Sequence, residues 1–404
     1  MIGRVASKDI LSTLRDTRAI VSNLLIPLIL LPVIMLGLPF LLGGLFMREA
    51  TTVTPLGALG LEHAPPELIA LVEAQAATLE SVADPEAAVR EDLYPAAISI
   101  PEGLTEALAA GEPVTLAVYR KAGNMRSELN AGKLESAVAG YRQQIVSERL
   151  ERAGIDPEVL EPLRVVARDA STEAERTSGQ LSWLIPFFIA IWTLTGGQMA
   201  AIDATAGEKE RGTLEVLLVA PVRRAEVVVG KFLATVLFGL WAAVMAILGF
   251  VLGGFILRRL FLPTLDAAAA EMIGVMGGQL AVTPLMVLLL VVSAVLLSAL
   301  ISAVLIGVAM FARSFKEAQT YVAPLSFLLI LPAIGLQFRD LLGVDDALYW
   351  IPMLNAMVLM DDVVRGAATG TGVLITWASL SVAIVALLIF AYRNFRRESV
   401  LFRT

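Results

Sequence analysis

Few residues in this chain could make or break bonds. His63 is the only histidine and cysteine is absent from all 404 residues. A Ser-His-Asp relay, a multi-histidine metal centre and any thiolate chemistry are therefore excluded. His63 stands beside Glu62 in a proline-rich stretch and reads as a loop residue, because no partner histidine exists to complete a metal site. Gly230-Lys231 echoes a phosphate-binding loop, but Phe232 follows where Ser or Thr is needed and Ala225 occupies the first glycine position. The chain has no nucleotide site of its own. What remains is charge in unusual places: the run Glu208-Lys209-Glu210-Arg211 before Gly212-Thr213, the pair Arg313 and Lys316, and the adjacent acids Asp361 and Asp362.

The elements that must position these charges are set by composition. Hydrophobic residues make up 57% of the chain and charged residues 17%, against about 25% charged in soluble domains. A soluble protein is excluded. Six apolar runs approach or exceed the roughly 20 residues that span a bilayer as a helix: 19–46, 181–202, 227–257, 280–312, 321–338 and 372–392, none with Asp or Glu. The first is far longer than the apolar region of a signal peptide and lacks a small-x-small cleavage site, so it reads as a retained span. The predicted fold class is an α-helical integral membrane protein with six transmembrane helices and an extracytoplasmic α/β domain, 47–180, inserted between the first two.

Basic residues orient the spans. Arg4, Lys8, Arg15 and Arg18, then Lys209, Arg211, Arg223, Arg224 and Lys231, then Arg313 and Lys316, then Arg393, Arg396, Arg397 and Arg403 fall on one side, fifteen in all. The short loops of the other side hold Arg258, Arg259, Arg339 and Arg365. Both termini, including the tail 393–404, are thus expected in the cytoplasm, with Arg258 and Arg259 the pair that fits worst. The insert carries 22 acidic and 12 basic residues, which suits a solvated domain. Its patterning predicts strands at 53–59, 96–100, 115–119 and near 163–167, helices at 65–79 and 127–153, and a helix opening after Pro101-Glu102-Gly103. Strand alternating with helix predicts a partly parallel or mixed sheet.

On the cytoplasmic side, residues 1–18 place Ile2, Ala6, Ile10 and Leu14 four apart, an amphipathic helix able to lie on the membrane surface. In 203–226, Gly212 can break the backbone and Thr213 can cap a short helix with Leu214, Leu217 and Leu218 on its apolar side, ended by Pro221. The stretch Glu208-Lys-Glu-Arg-Gly-Thr-Leu-Glu-Val-Leu-Leu-Val-Ala-Pro-Val-Arg-Arg-Ala-Glu226, followed by Gly230-Lys231, resembles the signature joining the second and third spans of type-2 ATP-binding-cassette exporter permeases. The likeness is greatest to the branch named for sodium efflux. Ile351-Pro-Met-Leu-Asn355 and Asp361-Asp-Val-Val-Arg-Gly366 resemble the same branch's last extracytoplasmic loop.

The resemblance implies a coupling helix docked on a separate ATPase. Glu208, Glu210, Arg211, Thr213 and Glu215 are the expected contact, with Leu214, Leu217 and Leu218 seating the helix and Arg313 and Lys316 forming a smaller second contact. No cofactor is expected in this chain; ATP and Mg would belong to two copies of the partner. A second permease, forming a homodimer or a pair with a similar chain, and the lipid bilayer complete the expected partners, with no nucleic acid. The location implied is the plasma (inner) membrane of a prokaryote.

Two features bear on the path through the membrane. Gly249 and Gly253, and Ala294, Ser298 and Ser302, are small residues four apart that let helices approach closely, within one chain or across a dimer. Within 339–371, the apolar portion 348–360 is too short to span; it either re-enters the outer leaflet or lies at the interface, with Asp361 and Asp362 near an outer mouth. Gln198, Leu354, Asn355, Asp361 and Asp362 are the pathway candidates. Carboxylate-free spans favour an amphiphilic cargo, whereas the resembled branch suggests sodium. A membrane-anchored receptor or scaffold whose outer domain binds a ligand is the competing class.

Overall fold

The computed structural model describes residues 2–15, 17, 21, 25–156, 170, 182–214, 221, 223–264, 283–339 and 345–395. The chain divides into two compact units, residues 41–169 and residues 1–40 with 170–404.

The smaller unit holds a four-stranded sheet. β1 (Thr54–Leu59), β2 (Ala77–Ser81), β3 (Ala97–Ser99) and β4 (Ala117–Tyr119) lie in the order β2-β1-β3-β4. β1 is parallel to β2 and β3, and β4 runs antiparallel to β3, a mixed sheet. The parallel pairs need crossovers, which the helices Pro66–Ala74 and Pro85–Arg90 supply. Asp84 caps the second by accepting from the Ala87 amide at 2.9 Å. Leu56, Ala58 and Ile98 of the sheet are buried with Leu68, Val72, Leu104, Ala131, Leu134 and Ala137 of the helices.

Two expectations about this unit need correction. The helix predicted over 65–79 stops at Ala74, and Ala77–Ser81 is strand β2. Gln75-Ala76 makes the turn, with Ala76 at φ 53°, so no glycine or proline marks it. The helix Pro85–Arg90 was not anticipated. The long helix runs Met125–Arg152, begun by Asn124 accepting from Ser127 N at 3.2 Å. The strand expected near 163–167 lies outside the described residues.

In the larger unit, five helices among the described residues are long and apolar enough to cross a membrane: Leu184–Glu210, Arg224–Thr264, Pro284–Ala309, Phe315–Gln337 and Gly370–Phe395. The helix Ile26–Thr51 overlaps the first apolar run and continues past its end at residue 46. The fourth of the five breaks at Ala323-Pro324 between Phe315–Val322 and Leu325–Gln337, and so starts earlier than the apolar pattern implies. The helices from Leu184, Arg224 and Pro284 meet through small residues. A Cβ on Gly196 would lie 2.6 Å from Ala242 Cβ, and one on Gly239 would lie 2.7 Å from Ser298 Oγ. Ser298 in turn donates to Val236 O at 2.9 Å. Gly249 is seated the same way, its absent Cβ 2.9 Å from Pro27 O. These small positions are used within one chain.

A shorter helix, Leu354–Arg365, is buried from Asn355 to Val364 and packs against the helices from Leu184, Pro284 and Gly370. Its residues are thus covered by neighbouring helices of the same unit.

Candidate functional site

After Ile202 the helix from Leu184 widens into a π turn, Asp203–Gly207, before Glu208–Glu210. Gly207 leaves room there: a Cβ would lie 3.1 Å from Asp203 Oδ1. Arg211 Nη2 closes over the turn on Asp203 Oδ1 at 2.7 Å. Gly212, at φ +69°, takes the left-handed conformation that ends the segment.

Glu208 points inward and is 3% exposed. Its Oε2 accepts from Lys231 Nζ at 2.5 Å, and its Oε1 accepts from Lys8. Lys231, 1% exposed, also donates to Ala204 O at 2.5 Å and lies 3.9 Å from Asp9 Oδ2. Lys8 approaches Asp9 Oδ1 at 3.4 Å. Two acids and two lysines thus form a neutral cluster drawn from three elements. Such groups tolerate burial only when paired. Burial pushes the Asp9 carboxyl above its usual range, a shift that Lys231 opposes. For Lys8, burial works against the charge, but Glu208 and Asp9 outweigh it and hold the ammonium above its ordinary value.

Gly230 explains how the N-terminal helix Ile2–Leu14 gets so close. A Cβ there would lie 2.8 Å from Val5 Cβ, so glycine admits the helix and the next residue, Lys231, reaches the cluster. The buried stripe of that helix is Val5, Ala6, Asp9 and Thr13. Of the apolar set Ile2, Ala6, Ile10 and Leu14, Ala6 is shared with this protein-facing stripe, whereas Leu14 is exposed on the chain's surface. Lys8 and Asp9 are functional candidates that the sequence reading missed. An acid one turn from apolar neighbours on an amphipathic helix was the available signal.

The remaining predicted contact residues divide. Glu210, Arg211 and Thr213 are exposed, as are Arg313 and Lys316. Glu208 is not on that surface, because its charge is consumed by the two lysines. Thr213 Oγ1 donates back to Glu208 O at 3.3 Å rather than accepting from a following amide. Leu214 is buried with Val227, Val228, Met310, Ala391 and Phe395. Glu215, Leu217 and Leu218 lie outside the described residues.

The two charged segments, about a hundred residues apart, are tied together. Glu210 Oε2 accepts from Phe315 N at 2.8 Å, and Lys209 Nζ donates to Met310 O at 2.6 Å and Ala312 O at 3.3 Å. Ser314 caps the helix that follows, accepting from Glu317 N at 3.2 Å. One surface therefore carries both.

Elsewhere in the unit, the pathway candidates sit differently from expectation. Asp361 and Asp362 are buried rather than facing an outer mouth. Arg365 Nε lies 2.9 Å from Asp361 Oδ2 and 3.1 Å from Ser182 Oγ. Arg339 Nη1 meets Asp362 Oδ1 at 2.6 Å, and Tyr349 donates its hydroxyl to Oδ2 of the same acid. Asn355 Nδ2 donates to Tyr349 O at 3.0 Å and Ser379 Oγ at 2.5 Å. Gln198 and Leu354 are half-buried on their helices. Carboxylates are thus present within the helix bundle, carried by the short buried helix, but each has an arginine.

A family model described as ABC-2 family transporter protein matches residues 23–393. Across 98% of both chains, the sequence is 28% identical to the ABC transporter permease protein NatB of Bacillus subtilis (strain 168). With its apolar helices and the Glu208–Lys231 signature, the chain belongs to the ABC-2 transporter family and is a membrane permease.

Proposed function

We propose that this permease is the transmembrane subunit of an exporter, with six spans and both termini in the cytoplasm of a prokaryotic inner membrane. A separate ATP-binding-cassette ATPase hydrolyses ATP with Mg and docks on the surface formed by Glu210, Arg211, Thr213, Arg313 and Lys316. The observation that carries this reading is the joining of those two exposed segments through Glu210 and the Phe315 amide. Two permeases and two ATPases make a two-fold assembly. Residues 47–180 stand outside the cell. The cargo is an amphiphilic compound in preference to a sodium ion. Asp361 and Asp362, neutralised by Arg365 and Arg339, leave no uncompensated carboxylate pair to concentrate cations.

The test is co-purification. With the permease and its ATPase co-expressed, Arg313→Glu together with Lys316→Glu should reach the membrane in normal amount yet retain at least tenfold less ATPase. Exposed charge reversals cost little folding energy but place like charges across an interface. Undiminished ATPase on that variant would defeat the docking surface.

A further inference from the structure

The buried cluster of Lys8, Asp9, Glu208 and Lys231 is not explained by a docking surface, since three of its four members are almost wholly hidden. It joins three separate elements. Lys8 and Asp9 come from the N-terminal helix, Glu208 from the segment after the π turn, and Lys231 from the second turn of the helix Arg224–Ile256. Lys231 is spoken for on each side: Glu208 Oε2 at 2.5 Å, Ala204 O at 2.5 Å and Asp9 Oδ2 at 3.9 Å. Sterically the same junction is sealed by Gly230 under Val5.

We propose that the N-terminal helix is a second arm of the coupling device, latched by the Glu208–Lys231 pair so that Ile2–Leu14, the Glu208–Thr213 segment and the start of the Arg224 helix move as one body. The inference rests on the docking reading above. Glu208 and Lys231 are then positioning residues: they touch neither ATPase nor cargo, and act by making separation of the three elements costly. Apolar packing alone would hold the helix but allow it to slide, whereas a buried ion pair fixes register. Adjacent residues divide the labour. Glu208 faces the latch while Glu210 and Arg211 are exposed, so a displacement imposed on the outer residues reaches the inner one within a single turn.

The absence of cysteine gives a clean test. Ala6→Cys places a thiol on the hidden face of the N-terminal helix, where Ala6 is 7% exposed. In the purified complex with its ATPase, N-ethylmaleimide should label this site slowly. Lys231→Met should raise the labelling rate at least tenfold and abolish the permease's effect on ATP hydrolysis, while the ATPase stays bound. The exchange Glu208→Lys with Lys231→Glu should restore protection and coupling together. Lys8→Glu, at a half-exposed position that folding tolerates, should raise labelling at least threefold by adding a third acid to the cluster. Slow labelling in both Lys231→Met and Lys8→Glu, or normal coupling with the thiol exposed, would overturn the latch. Loss of the docking reading looks different: the ATPase would fail to bind the native chain, or would bind the Arg313→Glu, Lys316→Glu variant normally, with labelling unaffected.

Discussion

A lysine at 1% exposure is stable only if its charge is answered, and Glu208 is its closest answer. Removing one member strands the other. Glu208→Gln should therefore destabilise the permease by about 3–5 kcal/mol, the usual cost of breaking a buried pair. Replacing both, as Glu208→Leu with Lys231→Met, should recover most of that loss. Thermal unfolding in detergent checks this, and equal damage in the single and double variants would show that the pair itself is not what matters. A second residue-scale prediction concerns Glu49, which accepts from Asn130 Nδ2 at 2.7 Å and Arg126 Nε at 3.1 Å. Burial works to raise this carboxyl, but those hydrogen bonds prevail and hold it below the usual range. A depressed acid stabilises the fold above its unfolded pKa, and the contribution disappears as pH falls through the lower folded value. Glu49→Gln should accordingly unfold at a lower temperature than the native chain at pH 7, with the gap closing below about pH 4. A gap that persisted in acid would rule out this linkage.

Between elements, glycines act in two opposite ways. Gly239 lies under Ser298 Oγ and Thr193 O, where a Cβ would fall at 2.7 and 3.1 Å. Gly239→Val should cost about 1–3 kcal/mol or more, as overpacking does, and lower the yield of folded permease. Gly132, inside the helix Met125–Arg152, has nothing within 4 Å of its absent Cβ. Gly132→Ala should stabilise that helix by roughly 1 kcal/mol, read in the full chain as about fivefold slower amide exchange over its residues. The same contrast governs what the sequence made legible. β1, β3 and β4 and the long helix were readable because the local pattern of apolar residues marks them. β2 was not, since Gln75-Ala76 carries no turn residue and pairing with β1 decides the conformation of Ala77–Ser81. Nor was the fate of Glu208. Charged runs are ordinarily solvated, and the partners that internalise this one are Lys231 on the following helix and Lys8, 200 residues away in sequence. The exposed half of the motif, by contrast, lies where a charged run is expected.

At the scale of the whole bundle, side-chain contacts sort the helix ends into two sets. The N-terminal helix, Glu208, Lys231, Met310 and Phe315 are linked at one end, where Leu214, Val227, Ala391 and Phe395 also pack. Ser182, Arg339, Tyr349 and Arg365 gather with Asp361 and Asp362 at the other. The five long apolar helices therefore alternate in direction, and each predicted cytoplasmic basic cluster that is described falls at the first end. Arg258 and Arg259 lie in the π turn at the far end of their helix, so they remain the exception to the charge rule. An excess of fifteen lysines and arginines against four should place the first end in the cytoplasm, and residues 47–180, following one span, outside. Ser136 and Thr213 are both exposed in their own units, and no native thiol competes. Ser136→Cys should react with a membrane-impermeant maleimide in intact cells from which any outer barrier has been removed. In cells that express the permease without its ATPase, so that the proposed docking surface is uncovered, Thr213→Cys should react only after the membrane is opened. The contrast should be at least tenfold, since each site is accessible to reagent on its own side. Labelling of Thr213→Cys in sealed cells, with Ser136→Cys protected, would invert the molecule and remove the cytoplasmic docking surface with it.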